Sequence, residues 1–174
     1  MQVHASRRTV RGFTFIELLY VGAIIGILVA VGIPAYGDYI YRSQVAEAVS
    51  QLGDARREVS DFYSRWGYLP KDNKQAGLGP PEQFRGRYLR RLEIDNGALY
   101  AQVELGSAGS GEPVVRWLSF RPAVNSASPS APIVWLCGQQ VLAKQLAGLS
   151  VIGEIRQTAV EERYLPGACR QPTK

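Results

Sequence analysis

From Leu18 to Ile33 the chain runs sixteen residues without a charge, and Phe13–Ile16 extends the apolar stretch upstream. Roughly 20 such residues are what a helix needs to cross the hydrocarbon core of a bilayer. Beyond it the pattern changes. Val45, Ala48, Val49, Leu52, Ala55, Val59, Phe62 and Tyr63 recur at steps of three and four, which places them on one face of an amphipathic helix. Arg42, Glu47, Asp54, Arg57, Glu58 and Asp61 lie mostly off that stripe. Gly67 suits the position just past a helix end, and Pro70 discourages continuation. The two patterns join into a helix predicted from about Thr14 to about Trp66. Its first half must sit in lipid or against other copies of itself. Its second half must lay the apolar stripe on a globular head.

The head reads as strands. Residues 67–87 are rich in Gly and Pro and form an irregular connection. "YLRRLEI" (88–94) leads into Asp95-Asn96-Gly97, a strong hairpin signal. "ALYAQVEL" (98–105) alternates, with Leu99, Ala101, Val103 and Leu105 on one face and Tyr100, Gln102 and Glu104 on the other. "GSAGSG" (106–111) is a turn or flexible tip, and "VVRWLSF" (114–120) is a third strand. "NSASPSAP" (125–132) is a loop, and "IVWLCG" (133–138) is a fourth strand. The expectation is an α+β chain: a long N-terminal helix packed on a four-stranded antiparallel sheet. Residues 139–165 are open at this stage. "QQVLAKQLAGL" suits a short helix, and "VIGEIRQTAVEERYL" leaves strand, helix and coil open.

Charge changes the picture less than its total suggests. Of 20 Lys and Arg, three (Arg7, Arg8 and Arg11) precede Gly12, leaving 17 basic against 15 acidic residues beyond it. A nucleic-acid reading gains little from that balance. Arg85, Arg87, Arg90 and Arg91, with Phe84 and Tyr88 nearby, make a candidate for weak DNA contact; a solvated loop and strand face is the plainer reading. The single histidine, His4, lies before Gly12. Its loss with a leader would remove Ser-His and Cys-His catalysis and the usual zinc sites. No metal-ligand or cofactor pattern is found, and no enzyme is expected. Trp66, Trp117 and Trp135 read as packing residues, and Glu161-Glu162 as a solvated pair. Cys137 and Cys169 are expected to pair in an exported chain.

Glu17 is the informative residue. A carboxylate at membrane depth costs a few kcal/mol and marks a functional position. No Lys or Arg lies between it and Arg42. A cut after Gly12 would give Phe13 a new α-amine, a cation four residues from Glu17 in one helix and able to pair with the Glu17 of a neighbouring copy. A plain secretory signal fits poorly, since an ordinary apolar h-region carries no Glu at its start and is followed by a small-residue cleavage site. Gly22, Ala23, Gly26, Ala30 and Gly32 are spaced as in helices that approach closely.

Gly12-Phe13-Thr14-Phe15-Ile16-Glu17-Leu18-Leu19, after a basic leader and before an apolar run, resembles the class III leader of type IV pilins. The resemblance implies cleavage between Gly12 and Phe13 by prepilin peptidase, N-methylation of Phe13, and assembly directed by Glu17. "GIPAYGDYIYRSQVAEA" is similar to the same family, in which Gly26 through Pro34 is a segment that kinks or unwinds when subunits pack. Phe15 and Tyr20 depart from the aliphatic residues the family often has. "VWLCG" and "ERYLPGACR" resemble the C-terminal disulfide region of type IVa pilins, implying the pilin fold with a Cys137–Cys169 loop. The organisation expected is a leader (1–12), a transmembrane and filament-core helix (13–35), an amphipathic helix (36–66), a connecting loop (67–87), the sheet (88–136), a disulfide-bounded region (137–169) and a tail (170–174).

The function implied is that of a structural subunit of a type IV pilus, serving adhesion, twitching motility or DNA uptake. Its implied partners are other pilin subunits, prepilin peptidase, the inner-membrane assembly machinery and the inner membrane itself before export to the cell surface. A type II secretion pseudopilin shares the leader. The disulfide favours the pilin, since major pseudopilins generally carry a calcium loop instead. A membrane-anchored ligand-binding module is the alternative from another class.

Overall fold

A computed structural model describes residues 12–106, 112–128 and 131–171. The leader up to Arg11, most of the 106–111 tip, two residues of the 125–132 loop and the last three of the tail lie outside the described residues. The chain divides into two compact units, residues 1–36 and 37–174. Helix α1 spans Phe15–Trp66, close to the bounds the periodicity predicts. In the first unit every described side chain from Phe13 to Ile33 is exposed. By length and composition α1 is apolar enough to cross a membrane.

The second unit holds the core. Val45, Ala48, Leu52, Ala55, Val59 and Tyr63 are buried, which is the face the three- and four-residue spacing marked. They pack with an antiparallel sheet of β1 (Leu89–Asp95), β2 (Ala98–Leu105), β3 (Val114–Val124) and β4 (Val134–Cys137), in that order across the sheet. A fifth, two-residue strand, β5 (Ser150–Val151), pairs with the end of β3. The sheet thus has one strand more than the pattern predicts. The stretch expected as a possible short helix forms only a three-residue 3-10 turn, Lys144–Leu146.

Local chemistry explains the joints. Gly67 has φ 75° and its N–H donates to Tyr63 O at 2.8 Å, a left-handed helix stop. Asn96 and Gly97 both have positive φ, 49° and 87°, the geometry that matches a two-residue turn to strand twist. A side chain at Gly97 would also meet Leu69 at 2.8 Å. The pairing of β1 with β2 shifts between Leu89 and Arg91. That bulge lets Leu89 and Leu92 both be buried although they are three residues apart. Asn73 is buried and stitches the connecting loop to β1: its Nδ2 donates to Leu92 O (2.9 Å) and Gly79 O (3.1 Å), and its Oδ1 accepts from Ile94 N–H (2.6 Å). This occupies hydrogen-bonding groups along an edge strand.

Tyr100 departs from the alternation, for it is buried rather than solvated. The cause is residues 153–158, which cover that side of the sheet. Glu154 N–H donates to Tyr100 Oη at 3.0 Å. The Arg156 guanidinium lies 4.2 Å from the Tyr100 ring centre and 4.6 Å from that of Trp117, and reaches Glu93 at 3.0 Å. Gly153 (φ 88°) makes the approach possible, because a Cβ there would fall 2.6 Å from Ala98 Cβ. Trp66, expected as packing, is instead exposed, its ring 6.4 Å from that of Phe62; it is the last residue of α1, past the sheet-facing stripe.

Candidate functional site

Two regions carry the residues that the sequence singles out. At the start of α1, Glu17 sits in the first turn. There the free N–H groups of a helix favour an anion. Thr14 N–H donates to Glu17 Oε2 at 2.9 Å and Thr14 Oγ1 donates to the same oxygen at 2.6 Å. Leu18 N–H donates to Thr14 O at 3.3 Å. Thr-x-x-Glu is the spacing of a capping box, in which a carboxylate in the first turn reaches back to the capping residue. Among the described residues these are Glu17's hydrogen-bond partners, and both donors are uncharged. Thr14 was legible through that spacing but goes unmarked by a search for a cation.

Phe13 is 84% exposed and Gly12 is exposed as well. Gly22, Gly26 and Gly32 have no atom within 4 Å of the position a Cβ would take. Among the described residues, no side-chain contact requires glycine at these three positions. Pro34 lies within the span of α1.

The second region is the C-terminal staple. Cys137 and Cys169 form a disulfide across a separation of 32 residues, and both are buried. Gln140, which the sequence does not flag, organises the staple. Its Oε1 accepts from Cys137 N–H at 2.9 Å, and its Nε2 donates to Ala168 O (3.0 Å) and Arg170 O (2.9 Å). The buried Arg121 donates from Nη2 to Gly138 O (3.4 Å) and to Gln140 O. Burial pushes the Arg121 guanidinium below its ordinary pKa. Arg170 donates to Leu165 O (2.9 Å) and Arg163 O (3.0 Å), and Arg42 of α1 donates to the same Arg163 O at 3.1 Å. Side chains thus tie three turns to one another where no ladder exists.

The arginine cluster is partly neutralised. Arg90 pairs with Glu104, and the pairing holds the Glu104 carboxyl below its ordinary range. Arg91 lies 3.7 Å from Glu82 and 3.5 Å from Glu93. Glu161 and Glu162 are exposed, as expected, and Glu161 also pairs with Arg163 at the surface.

Comparison with known proteins bears on this arrangement. A family model described as pilin, a bacterial filament protein, matches residues 41–170. The chain belongs to the pilin family. Over 162 residues it is 34% identical to the type IV major pilin protein PilE1 of Neisseria gonorrhoeae, covering 92% of this chain and 87% of that one. It is 35% identical over 164 residues to the fimbrial protein EcpC of Eikenella corrodens, with 92% and 90% covered. It is 31% identical over 161 residues to the type IV major fimbrial protein FimA of Dichelobacter nodosus, with 92% and 96% covered. The helix, sheet and Cys137–Cys169 loop of this pilin-family chain are the α+β pilin fold.

Proposed function

We propose that this chain is a structural subunit of a type IV pilus, carried by one observation above the rest. Within a pilin-family chain, the helical stretch from Phe15 to Ile33 exposes all its described side chains and holds a single carboxylate, Glu17, in its first turn. Apolar surface of that extent must be covered by lipid or protein. In this reading prepilin peptidase cuts between Gly12 and Phe13, Phe13 becomes the N-methylated terminus, and the helix waits in the inner membrane. The assembly machinery then moves the subunit into a filament whose core is a bundle of such helices.

Thr14 already supplies Glu17 with two neutral donors. The charge itself still calls for a cation in a low-dielectric surrounding. The new α-amine of Phe13 on a neighbouring subunit supplies one. The open space at Gly22, Gly26 and Gly32 lets helices approach. Gly26 to Pro34, poor in helix propensity and lacking one amide donor, is the segment that yields on packing. The heads then face outward and serve adhesion, surface motility or DNA uptake. Mass spectrometry of filaments sheared from cells tests the reading. It should find the chain abundant, starting at a methylated Phe13. Chains that retain residues 1–12, or that are missing from sheared filaments, would overturn it.

A further inference from the structure

Outside the helix start and the staple, one surface groove brings an arginine without a paired carboxylate among the described residues together with hydroxyls and a tryptophan. It lies between α1 and the residues leading into β4, has a volume of about 610 Å³, and is lined by Arg56, Arg57, Ser60, Asp61, Ser64 and Trp135 among others. Arg56 is one of its lining residues. The guanidinium carbon stands 5.2 Å from the ring centre of Phe120, and its Nε is buried with no hydrogen-bond partner among the described residues. No carboxylate of the described residues pairs with Arg56, whereas Arg57 has Asp54 at 3.9 Å. A guanidinium resting on an aromatic face, stripped of part of its water and left without a counter-charge, is pre-organised for an anion.

The hydroxyls narrow the class. Ser60 Oγ donates its hydrogen to Arg56 O at 2.9 Å and accepts from Trp135 Nε1–H at 3.2 Å. Ser64 Oγ donates to Asp61 O at 2.9 Å. Both hydroxyls have spent their hydrogens on the helix backbone and offer only lone pairs to the groove. The Asp61 carboxylate, which is exposed, adds further acceptors that a bare inorganic anion, having no O–H donors, cannot use. A ligand suited to this set brings one negative charge for Arg56 and several O–H donors for Asp61, Ser60 and Ser64. It also brings an apolar C–H face for the half-buried Trp135 ring. We propose that the groove binds an acidic saccharide unit, a sugar ring bearing a carboxylate. The volume falls in the range of small-ligand sites, roughly 300–1,000 Å³.

The test is an NMR titration of the full chain in detergent micelles with galacturonate, with galactose as the neutral counterpart and with sulfate. Galacturonate should bind, and galactose should bind at least about tenfold more weakly, the scale of one charge-assisted hydrogen bond. Arg56→Gln should erase that difference, and circular dichroism reports whether this variant folds. Should it not fold, the comparison of the three probes on the unaltered chain still decides. Failure of galacturonate to bind, equal binding of galacturonate and galactose, galacturonate affinity unchanged in a folded Arg56→Gln chain, or sulfate binding as tightly as galacturonate would each overturn the assignment.

Discussion

Thr14 and Glu17 separate two roles that one carboxylate can play. As a cap, Glu17 needs only donors, and Thr14 provides them. As an assembly determinant it needs a cation, because neutral donors leave its charge uncompensated in hydrocarbon. The two roles respond differently to substitution. Glu17→Ala lengthens the uncharged run, so cleaved chain should still accumulate in the membrane fraction. Sheared filaments should fall by on the order of tenfold or more, the scale of a few kcal/mol lost per subunit. Immunoblots of the two fractions check both halves, and normal filament yield would refute the pairing. Arg90 and Glu104 make a second residue-level case. The pair holds the Glu104 carboxyl down, so its folded pKa is below the unfolded one. The stabilisation is therefore complete above the unfolded pKa and is lost as pH falls through the folded one. Arg90→Gln should lower the urea midpoint at neutral pH, and the gap from the unaltered chain should close on acidification below about pH 4. A gap that is constant with pH would assign the effect to packing of the arginine stem.

Among the elements, those defined by periodicity were legible and those defined by side-chain bonds were not. The stripe from Val45 to Tyr63 and the bounds of β2 follow from spacing alone. β3 runs on to Val124 through Pro122, a residue that argues against a strand. It continues because β4 and β5 pair with its last residues, and Ile152 N–H donates to Pro122 O at 2.9 Å. Residues 139–165 have no period to read, since Gln140, Arg121 and Arg170 hold their turns by bonds to carbonyls that only the folded chain brings near. The same limit hides Arg56, whose meaning depends on Phe120 lying beneath it. In contrast, Gly12, Phe13 and Glu17 sit in a local motif. The staple allows a quantitative test. Replacing both cysteines by serine should cost about 3–4 kcal/mol for a loop of this size, and Gln140→Leu about 2 kcal/mol for three bonds to backbone. If Gln140 works by holding the disulfide-bonded turn, the combined variant should lose about 1 kcal/mol less than the sum. Urea unfolding of the four chains measures that coupling, and simple additivity would show that Gln140 and the disulfide act independently.

For the whole molecule, the core of the described residues lies in the second unit, and the continuous run of exposed apolar side chains lies in the first. Among the described residues, every buried hydrophobic residue lies at position 45 or beyond. Fourteen large apolar side chains from Phe13 to Ile33 are exposed. At about 1.5–3 kcal/mol per buried side chain, covering them is worth on the order of 20–40 kcal/mol. That far exceeds the stability of an ordinary domain, about 5–15 kcal/mol. In the proposed reading the first unit is governed by what covers it, bilayer or neighbouring helices, while residues 37–174 carry their own core and a disulfide. A chain of residues 37–174 should accordingly be a soluble monomer that unfolds in one cooperative urea transition, with a lower midpoint after reduction of Cys137–Cys169. The chain that keeps residues 13–36 should need detergent and should pass into large assemblies when the detergent is diluted. Sedimentation and urea titration distinguish these outcomes. Aggregation or a non-cooperative transition of residues 37–174 would show that the head depends on the apolar helix for its fold. Assembly and folding could then no longer be treated as separate problems in this chain.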